Sequence, residues 1–313
     1  MIDKISGDSM INNEFKVSVI IPTYKRSDFL VRAIKSVLNQ TYKNIQVVVV
    51  DDNENNSNFR KETEDKIKEF NLDNRVLYIK NAYNMGGGKA RNEGINRCDG
   101  EYITFLDDDD IYLEEKIEVQ LKHMLKNKLD VSFTDLRLHN MKDKIVDYRE
   151  FKFIKSFKND DLLKYHLTRH ITGTPTFMYK KDTLEKINGF RDVKMAQEFY
   201  LMLDTIESGA RIGYIPRADV IAYLHDGEKI SSGLNKINGE KNLFKSKQEY
   251  FYKLTSKEKK YIKFRHRAVM TVAYKRNREY TKATFEAVKA IGFTPIIAIY
   301  EIFMFFKKVD TNK

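Results

Sequence analysis

The chain has 313 residues, 42% hydrophobic and 32% charged, so most of it should fold as a soluble globule: one large domain, or a domain with an appendage. Its single cysteine, Cys98, excludes an internal disulfide and fits a reducing compartment, and with only six scattered histidines there is no zinc-type cluster. The formal net charge of +11 asks for an anionic partner, but it is spread along the chain and leaves nucleic acid, a membrane surface and a phosphorylated substrate open.

Met1 to Lys16 carries no apolar run of the signal-peptide kind and reads as a short mobile tail. Val17-Ser18-Val19-Ile20-Ile21 is an apolar, β-branched run closed by Pro22, the pattern of a buried strand. Ser27 is placed to cap a helix through about Leu38, with Phe29, Leu30, Ala33, Ile34 and Val37 at helical spacing. Val47 to Val50 predicts a second buried strand, closed by Asp51-Asp52. A polar turn, a helix around Phe59 to Phe70, and a third strand at Val76 to Ile79 follow. Gly86 to Gly88 leads into a helix through about Arg97, and Tyr102 to Leu106 is a fourth strand. Strands alternating with helices imply a mostly parallel sheet with right-handed crossovers.

The fourth strand runs straight into four consecutive carboxylates, Asp107 to Asp110. Like charges this close raise one another's pKa or recruit a cation, and oxygen-only ligands favour Mg²⁺ or Mn²⁺. If the segment stays extended, Asp107 and Asp109 face one way together. This cluster and Asp51-Asp52 both fall just past strand C-terminal ends, where open α/β sheets bind ligands.

After Val131 the pattern is mixed. Short strands are expected at Val131 to Thr134, Arg211 to Ile215 and Val220 to Tyr223, with helices near Asp160 to Thr168 and Gln197 to Glu207. No Pro/Gly-rich linker divides this part from the first half. The expected organisation is a tail at 1–16, one large domain at 17–234 with halves at 17–110 and 111–234, and a basic helical region at 235–313.

In order, Val17-Ser-Val-Ile-Ile-Pro-Thr-Tyr-Lys-Arg26, Ser36-Val-Leu-Asn-Gln-Thr-Tyr42, Val48-Val-Val-Asp-Asp52, Asn84-Met-Gly-Gly-Gly-Lys-Ala-Arg-Asn-Glu-Gly94 and Gly100-Glu-Tyr-Ile-Thr-Phe-Leu-Asp-Asp-Asp-Asp110 resemble family 2 glycosyltransferases. The resemblance covers roughly 17 to 225 and is most specific in the first 110 residues. It implies an α/β fold of the GT-A kind, Rossmann-like with a mostly parallel central sheet, here carrying a C-terminal helical appendage. It implies that Pro22, Thr23 and Tyr24 line the base pocket and that Asp52, or its neighbour Asp51, accepts hydrogen bonds from base or ribose. Gly87 would let the backbone approach the donor, with Lys89 and Arg91 at the family's positions beside it. Asp107, with Asp108 beside it, would contact ribose or sugar. Asp109 would bind Mn²⁺ or Mg²⁺, with His225 as a further ligand. Asp110 would support the loop or cap the next helix.

A hydroxyl acceptor needs a base. The family's acidic pair opening a helix corresponds to Gln197-Glu198, so Glu198 is the expected base and Asp192 the alternative. Asn188-Gly189-Phe190 matches the element before that acid, and Thr172 to Thr176 falls near the acceptor. The resemblance thus implies an inverting, metal-dependent transferase that moves a sugar from a nucleotide-diphosphate donor, most often a UDP-sugar in this family, to a glycan or lipid-linked hydroxyl.

Ile291 to Phe306 is densely apolar, ends in Lys307-Lys308 and carries Glu301 mid-run, short for a membrane span. It reads as an interfacial helix on the inner face of the membrane, a core helix, or an oligomer contact. The expected location is cytoplasmic, with peripheral membrane contact. A degenerate sugar-nucleotide binder and another nucleotide-dependent α/β transferase are the competing functions. Nucleic acid is not an expected partner: no recognised binding module is present, and the acidic clusters lie where phosphates would have to approach.

Overall fold

The computed structural model describes residues 14–224 and 233–293. The first half alternates as expected: β1 (Val17–Thr23), α1 (Ser27–Leu38), β2 (Ile45–Asp51), α2 (Asn58–Ile67), β3 (Val76–Lys80), α3 (Gly87–Arg97) and β4 (Tyr102–Phe105). Then come β5 (Ile111–Tyr112), α4 (Lys116–Lys126), β6 (Val131–Thr134), β7 (Leu136–Asn140), β8 (Ile145–Arg149), α5 (Asn159–Arg169), β9 (Met178–Lys180), α6 (Lys181–Lys186) and α7 (Gln197–Glu207). β10 (Ile212–Ile215), β11 (Val220–Leu224), α8 (Gly233–Glu249), α9 (Ser256–Arg276) and α10 (Tyr280–Phe293) complete the described chain.

The central sheet has seven strands in the order β10-β6-β9-β4-β1-β2-β3. All its pairings are parallel except those of β9, which runs antiparallel to both β4 and β6. Side chains alternate across a strand, and here both faces are covered. Ile20, Val48, Val50, Ile103 and Phe105 enter one core, while Val17, Val19, Val47, Val49 and Tyr102 enter the other. Burial on both faces explains why β1 and β2 read as unbroken apolar runs. A second sheet, β5-β11-β7-β8, stands beside the first.

Three differences from the sequence expectation have local causes. Ser27 is the first residue of α1, buried, while Arg26 holds the cap position without a side-chain cap bond. β7 and β8 form a hairpin whose outer strand is mostly exposed, so it carries no apolar alternation to read. α4 was hidden because its inward face includes the buried polar residues Lys116 and Gln120. The C-terminal helices also share the sheet's core: Leu243, Leu254 and Ile262 belong to the same cluster as Ile20 and Phe105. Among the described residues no helix is long and apolar enough to cross a membrane.

Candidate active site

β1, β2 and β4 deliver their C-terminal ends to one edge of the sheet, and α3 begins there. At the end of β2, Asp51 and Asp52 are both buried. The Tyr78 hydroxyl donates to Asp51 Oδ2 at 2.5 Å, and the Asn53 backbone N–H and side-chain amide donate to Oδ1 at 2.9 and 2.8 Å. Burial raises the Asp51 pKa from the usual carboxylate range, against the pull of these donors. Asp52 accepts from the Met85 N–H at 3.0 Å, the Gly86 N–H at 2.9 Å and the Asn81 side-chain amide at 2.8 Å. Asp51 thus ties β2 to β3, Asp52 holds the chain leading from β3 into α3, and Gly86 takes φ +85° to begin that helix.

Beyond β4 the arrangement differs from the extended one expected. The strand ends at Phe105, and the Asp110 N–H donates to the Asp107 carbonyl at 3.0 Å, closing a turn. Alternation therefore does not apply, and Asp107 and Asp109 face different arginines. The Arg91 guanidinium reaches Asp107 Oδ1 at 2.5 Å. Arg26 spans the other two, 2.7 Å from Asp108 Oδ1 and in contact with Asp109 Oδ2. The Thr23 hydroxyl donates to Asp108 Oδ2 at 2.8 Å, and Arg32 donates to the Asp109 carbonyl at 2.8 Å. Burial, reinforced by Asp109 and Asp107, pushes Asp108 up to about 7, while Arg26 and Thr23 oppose it. Asp110 is buried and accepts from the Tyr223 N–H at 3.0 Å. It ties the turn to β11 and does not cap α4, whose cap position is Glu115.

Beneath the turn, the fully buried Lys116 donates to Thr104 Oγ1 at 2.5 Å, and burial holds it well below its ordinary pKa. Its Nζ lies 4.2 Å from the centre of the Tyr112 ring, whose hydroxyl donates to the Phe105 carbonyl at 2.5 Å. Sequence reasoning missed Lys116, Arg26 and Arg32. For Arg26 and Arg32 the signal was the run of acids itself, which calls for cations beside it.

The first turn of α7 meets the first turn of α3. Gln197 Oε1 accepts from Arg91 at 3.2 Å, and a Cβ on Gly88 would lie 3.2 Å from Gln197 Cδ, so the two helices meet closely at this glycine. Ala196, just before the helix, is left-handed at φ 62°, a strained backbone of the kind that gathers at functional sites. Glu198 sits in this first turn, half-buried, and no described residue bonds to its carboxylate. Asp192, the alternative base, is paired with Lys89 at 2.8 Å. Pro22 and Tyr24 are half-buried beside Thr23, and the Tyr24 hydroxyl donates to Glu54 at 3.2 Å. Thr174–Thr176 forms a short turn behind β4, its Pro175 carbonyl 3.3 Å from the Tyr112 hydroxyl. His225 lies outside the described residues.

α8 braces this helix from behind. The Tyr200 hydroxyl and Ser246 are 3.1 Å apart, and a Cβ on Gly239 would come within 2.7 Å of Met195.

Among the described residues no group of three acids, histidines or cysteines is spaced to hold a metal alone. Asp107 and Asp109 nonetheless offer the all-oxygen donor set a hard cation prefers, and their side-chain partners are arginines rather than backbone groups. The residues fit a cation that takes its other ligands from a bound diphosphate.

Residues 18–187 match the family model described as Glycosyl transferase family 2. The chain belongs to that family. An uncharacterized glycosyltransferase of Methanocaldococcus jannaschii is 35% identical over 186 residues, 58% of this chain and 62% of that protein. The UDP-Glc:alpha-D-GlcNAc-diphosphoundecaprenol beta-1,3-glucosyltransferase WfgD of Escherichia coli is 33% identical over 150 residues, 47% of this chain and 57% of that protein. The matches thus span less than two thirds of either relative's length. Among solved structures, S. aureus TarS 1-349 in complex with UDP-GlcNAc superposes with TM-score 0.60 at 19% identity, covering 88% of this chain and 92% of that one. The mannosyltransferase PcManGT from Pyrobaculum calidifontis, in complex with GDP-Man and Mn2+, gives TM-score 0.59 at 14% identity, covering 96% of this chain and 84% of the other. These identities speak for the fold, which is GT-A, and the coverage reaches into the C-terminal helices.

Proposed function

We propose that this family 2 glycosyltransferase moves a sugar, with inversion, from a UDP-type nucleotide-diphosphate donor to a hydroxyl of a glycan or lipid-linked acceptor in surface polysaccharide synthesis. The observation that carries the reading is Arg91, whose guanidinium contacts both Asp107 beyond β4 and Gln197 at the head of α7. It joins the donor edge of the sheet to the helix that bears the candidate base. The nucleotide sugars in the TarS and PcManGT complexes and the donor in the WfgD name support a nucleotide-sugar substrate.

In this reading Pro22, Thr23 and Tyr24 line the nucleoside pocket, while Asp51 and Asp52 fix its walls through the loops they hold. Gly87, Lys89 and Arg91 face the donor's phosphates across the α3 N-terminus, whose free N–H groups favour an anion. Asp107 and Asp108 face the ribose and sugar. Asp109, with Asp107, would hold Mn²⁺ or Mg²⁺, which when bound supplies charge neutralisation to the departing diphosphate. Arg26 and Arg91, now pairing these carboxylates, are the cations a bound diphosphate would meet.

Glu198 takes the acceptor's hydroxyl proton. The oxygen then forms its bond to the anomeric carbon as the bond to the diphosphate oxygen breaks on the opposite face, which inverts the centre. A carboxylate that no described residue bonds is freer to meet an acceptor hydroxyl than Asp192, which is engaged with Lys89. Gln197 orients Arg91 in place of carrying a second negative charge.

The exposed Phe285, Val288 and Ile291 of α10, with Lys282 one turn before them and Lys289 among them, support peripheral contact with the inner face of the membrane.

The test is a thermal-shift series with UDP-, GDP-, CDP- and dTDP-sugars, with and without Mn²⁺. Stabilisation by a UDP-sugar that requires Mn²⁺ is expected, and a Glu198→Gln variant should show the same shift while transferring the sugar 100- to 10,000-fold more slowly, on the order of general-base effects. Unchanged transfer by that variant would move the base elsewhere.

A further inference from the structure

Between α8 and α9, closed by His170 at the end of α5, lies a cavity of about 30 Å³ that the site above does not use. Its polar lining comes from three directions: His170 after α5, Glu240 and Lys247 on α8, and Arg265 and His266 on α9. Lys247 is only 7% exposed, and its Nζ donates to His170 Nε2 at 2.5 Å. No described carboxylate pairs with it. Arg265 makes no hydrogen bond or ion pair among the described residues, although it lines the same space. The one acid in the lining, Glu240, is engaged with His266 Nδ1 at 3.3 Å.

A buried lysine whose nearest partner is an imidazole, beside a half-buried guanidinium that no described residue bonds, gains from an anion in the same hollow. The backbone at His170 is bent to the purpose: φ is 60° and ψ 118°, a conformation rare outside glycine, and it sets the ring against Lys247. Burial accordingly draws Lys247 down to about 7 and His170 well below its ordinary value.

We propose that this cavity is an anion site that receives a phosphoryl group, held by Arg265 and Lys247 with His266 at the rim. Donors converging from α8 and α9 suit a tetrahedral oxyanion, and Arg265 offers a fork of N–H groups for two of its oxygens. The site lies behind the candidate base: Lys247 Nζ is 5.4 Å from the ring of Phe199, the residue after Glu198. An anion here places a fixed charge against the inner side of α7. It also completes a charge set that is otherwise left neutral or unpaired.

The experiment is calorimetric titration of the full chain with inorganic phosphate at constant ionic strength, with EDTA and no nucleotide, so that the donor site contributes no metal-dependent binding. Saturable binding that weakens at least tenfold in Arg265→Gln is expected. Equal affinity in the two proteins, or no binding to the wild type, overturns the proposal. Arg265 is only half-buried, so the variant should fold, and retained UDP-sugar stabilisation in it separates this site's failure from failure of the donor assignment. Lys247→Met gives a second arm, expected to lose phosphate binding in the same way. Vesicles of phosphatidylglycerol in phosphatidylcholine identify the source. Arg265-dependent capture assigns the site to a lipid headgroup, and a phosphate effect without such capture assigns it to a soluble phosphorylated compound.

Discussion

Asp51-Asp52 and Asp107 to Asp110 lie at the same sheet edge, on either side of β1, and the chain uses them in opposite ways. The first pair is bound mainly by donors that cannot move away: backbone N–H groups of Asn53, Met85 and Gly86, and amides and a hydroxyl packed beside them. The second group is bound largely by the tips of long side chains, Arg26 and Arg91. A carboxylate fixed by backbone belongs to the fold. One balanced by a swinging guanidinium can exchange that partner for a cation or release it to a phosphate.

Substitution in each cluster tests the contrast. Asp109→Ala should reduce metal-dependent sugar transfer by 1000-fold or more while stability to urea stays within about 1 kcal/mol, since its Arg26 partner is half exposed and can turn to water. A loss of folding there would erase the distinction. Asp52→Ala should cost about 3 kcal/mol in urea unfolding, because several buried donors lose a charged acceptor together. Unchanged stability would place Asp52 among the exchangeable groups.

Asp108 is the intermediate case. Its pKa is raised from 3.8 to about 7 in the folded chain, so the native state binds the extra proton between those values. Stability should therefore fall as pH rises from about 4 to 7 and level off above, by an amount on the order of 2 kcal/mol once Arg26 is allowed to compensate. Urea midpoints at pH 4.5 and 7.5 read this slope, and Asp108→Asn should flatten it. The smallest effect is expected at the surface pair Lys89–Asp192. Asp192→Asn should change stability by less than about 1 kcal/mol and leave transfer near the wild-type rate; a large loss of transfer would return the base role to Asp192.

The parallel strands and the positions of both acidic clusters were legible because their signals are local: apolar runs buried on both faces, then charge. What each carboxylate touches was not. Asp51-Asp52 and Asp107-Asp108 look alike in sequence, and only the loop returning from β3 distinguishes them. The extended reading of Asp107 to Asp110 failed because a turn forms one residue beyond Leu106. Lys116 was invisible for a different reason, since a lysine in a helix reads as exposed unless the sheet above it is known. β9, three residues long, is too short to carry a period, and α8's bracing of α7 is a contact between segments far apart in the chain.

The placement of β9 also governs the order in which the molecule can be built. β4 is complete at Phe105, but its neighbour on one side, β9, begins only at Met178, and β6 reaches the sheet through that same short strand. As the polypeptide leaves the ribosome, β1 to β4 can assemble early, yet β4 keeps an open row of backbone donors and acceptors until β9 slides in. The half of the domain after β4 is thus a late-arriving keystone. Any nascent chain arrested before Lys180 carries a sticky, unfinished edge, and that window is where a chaperone would be of most use.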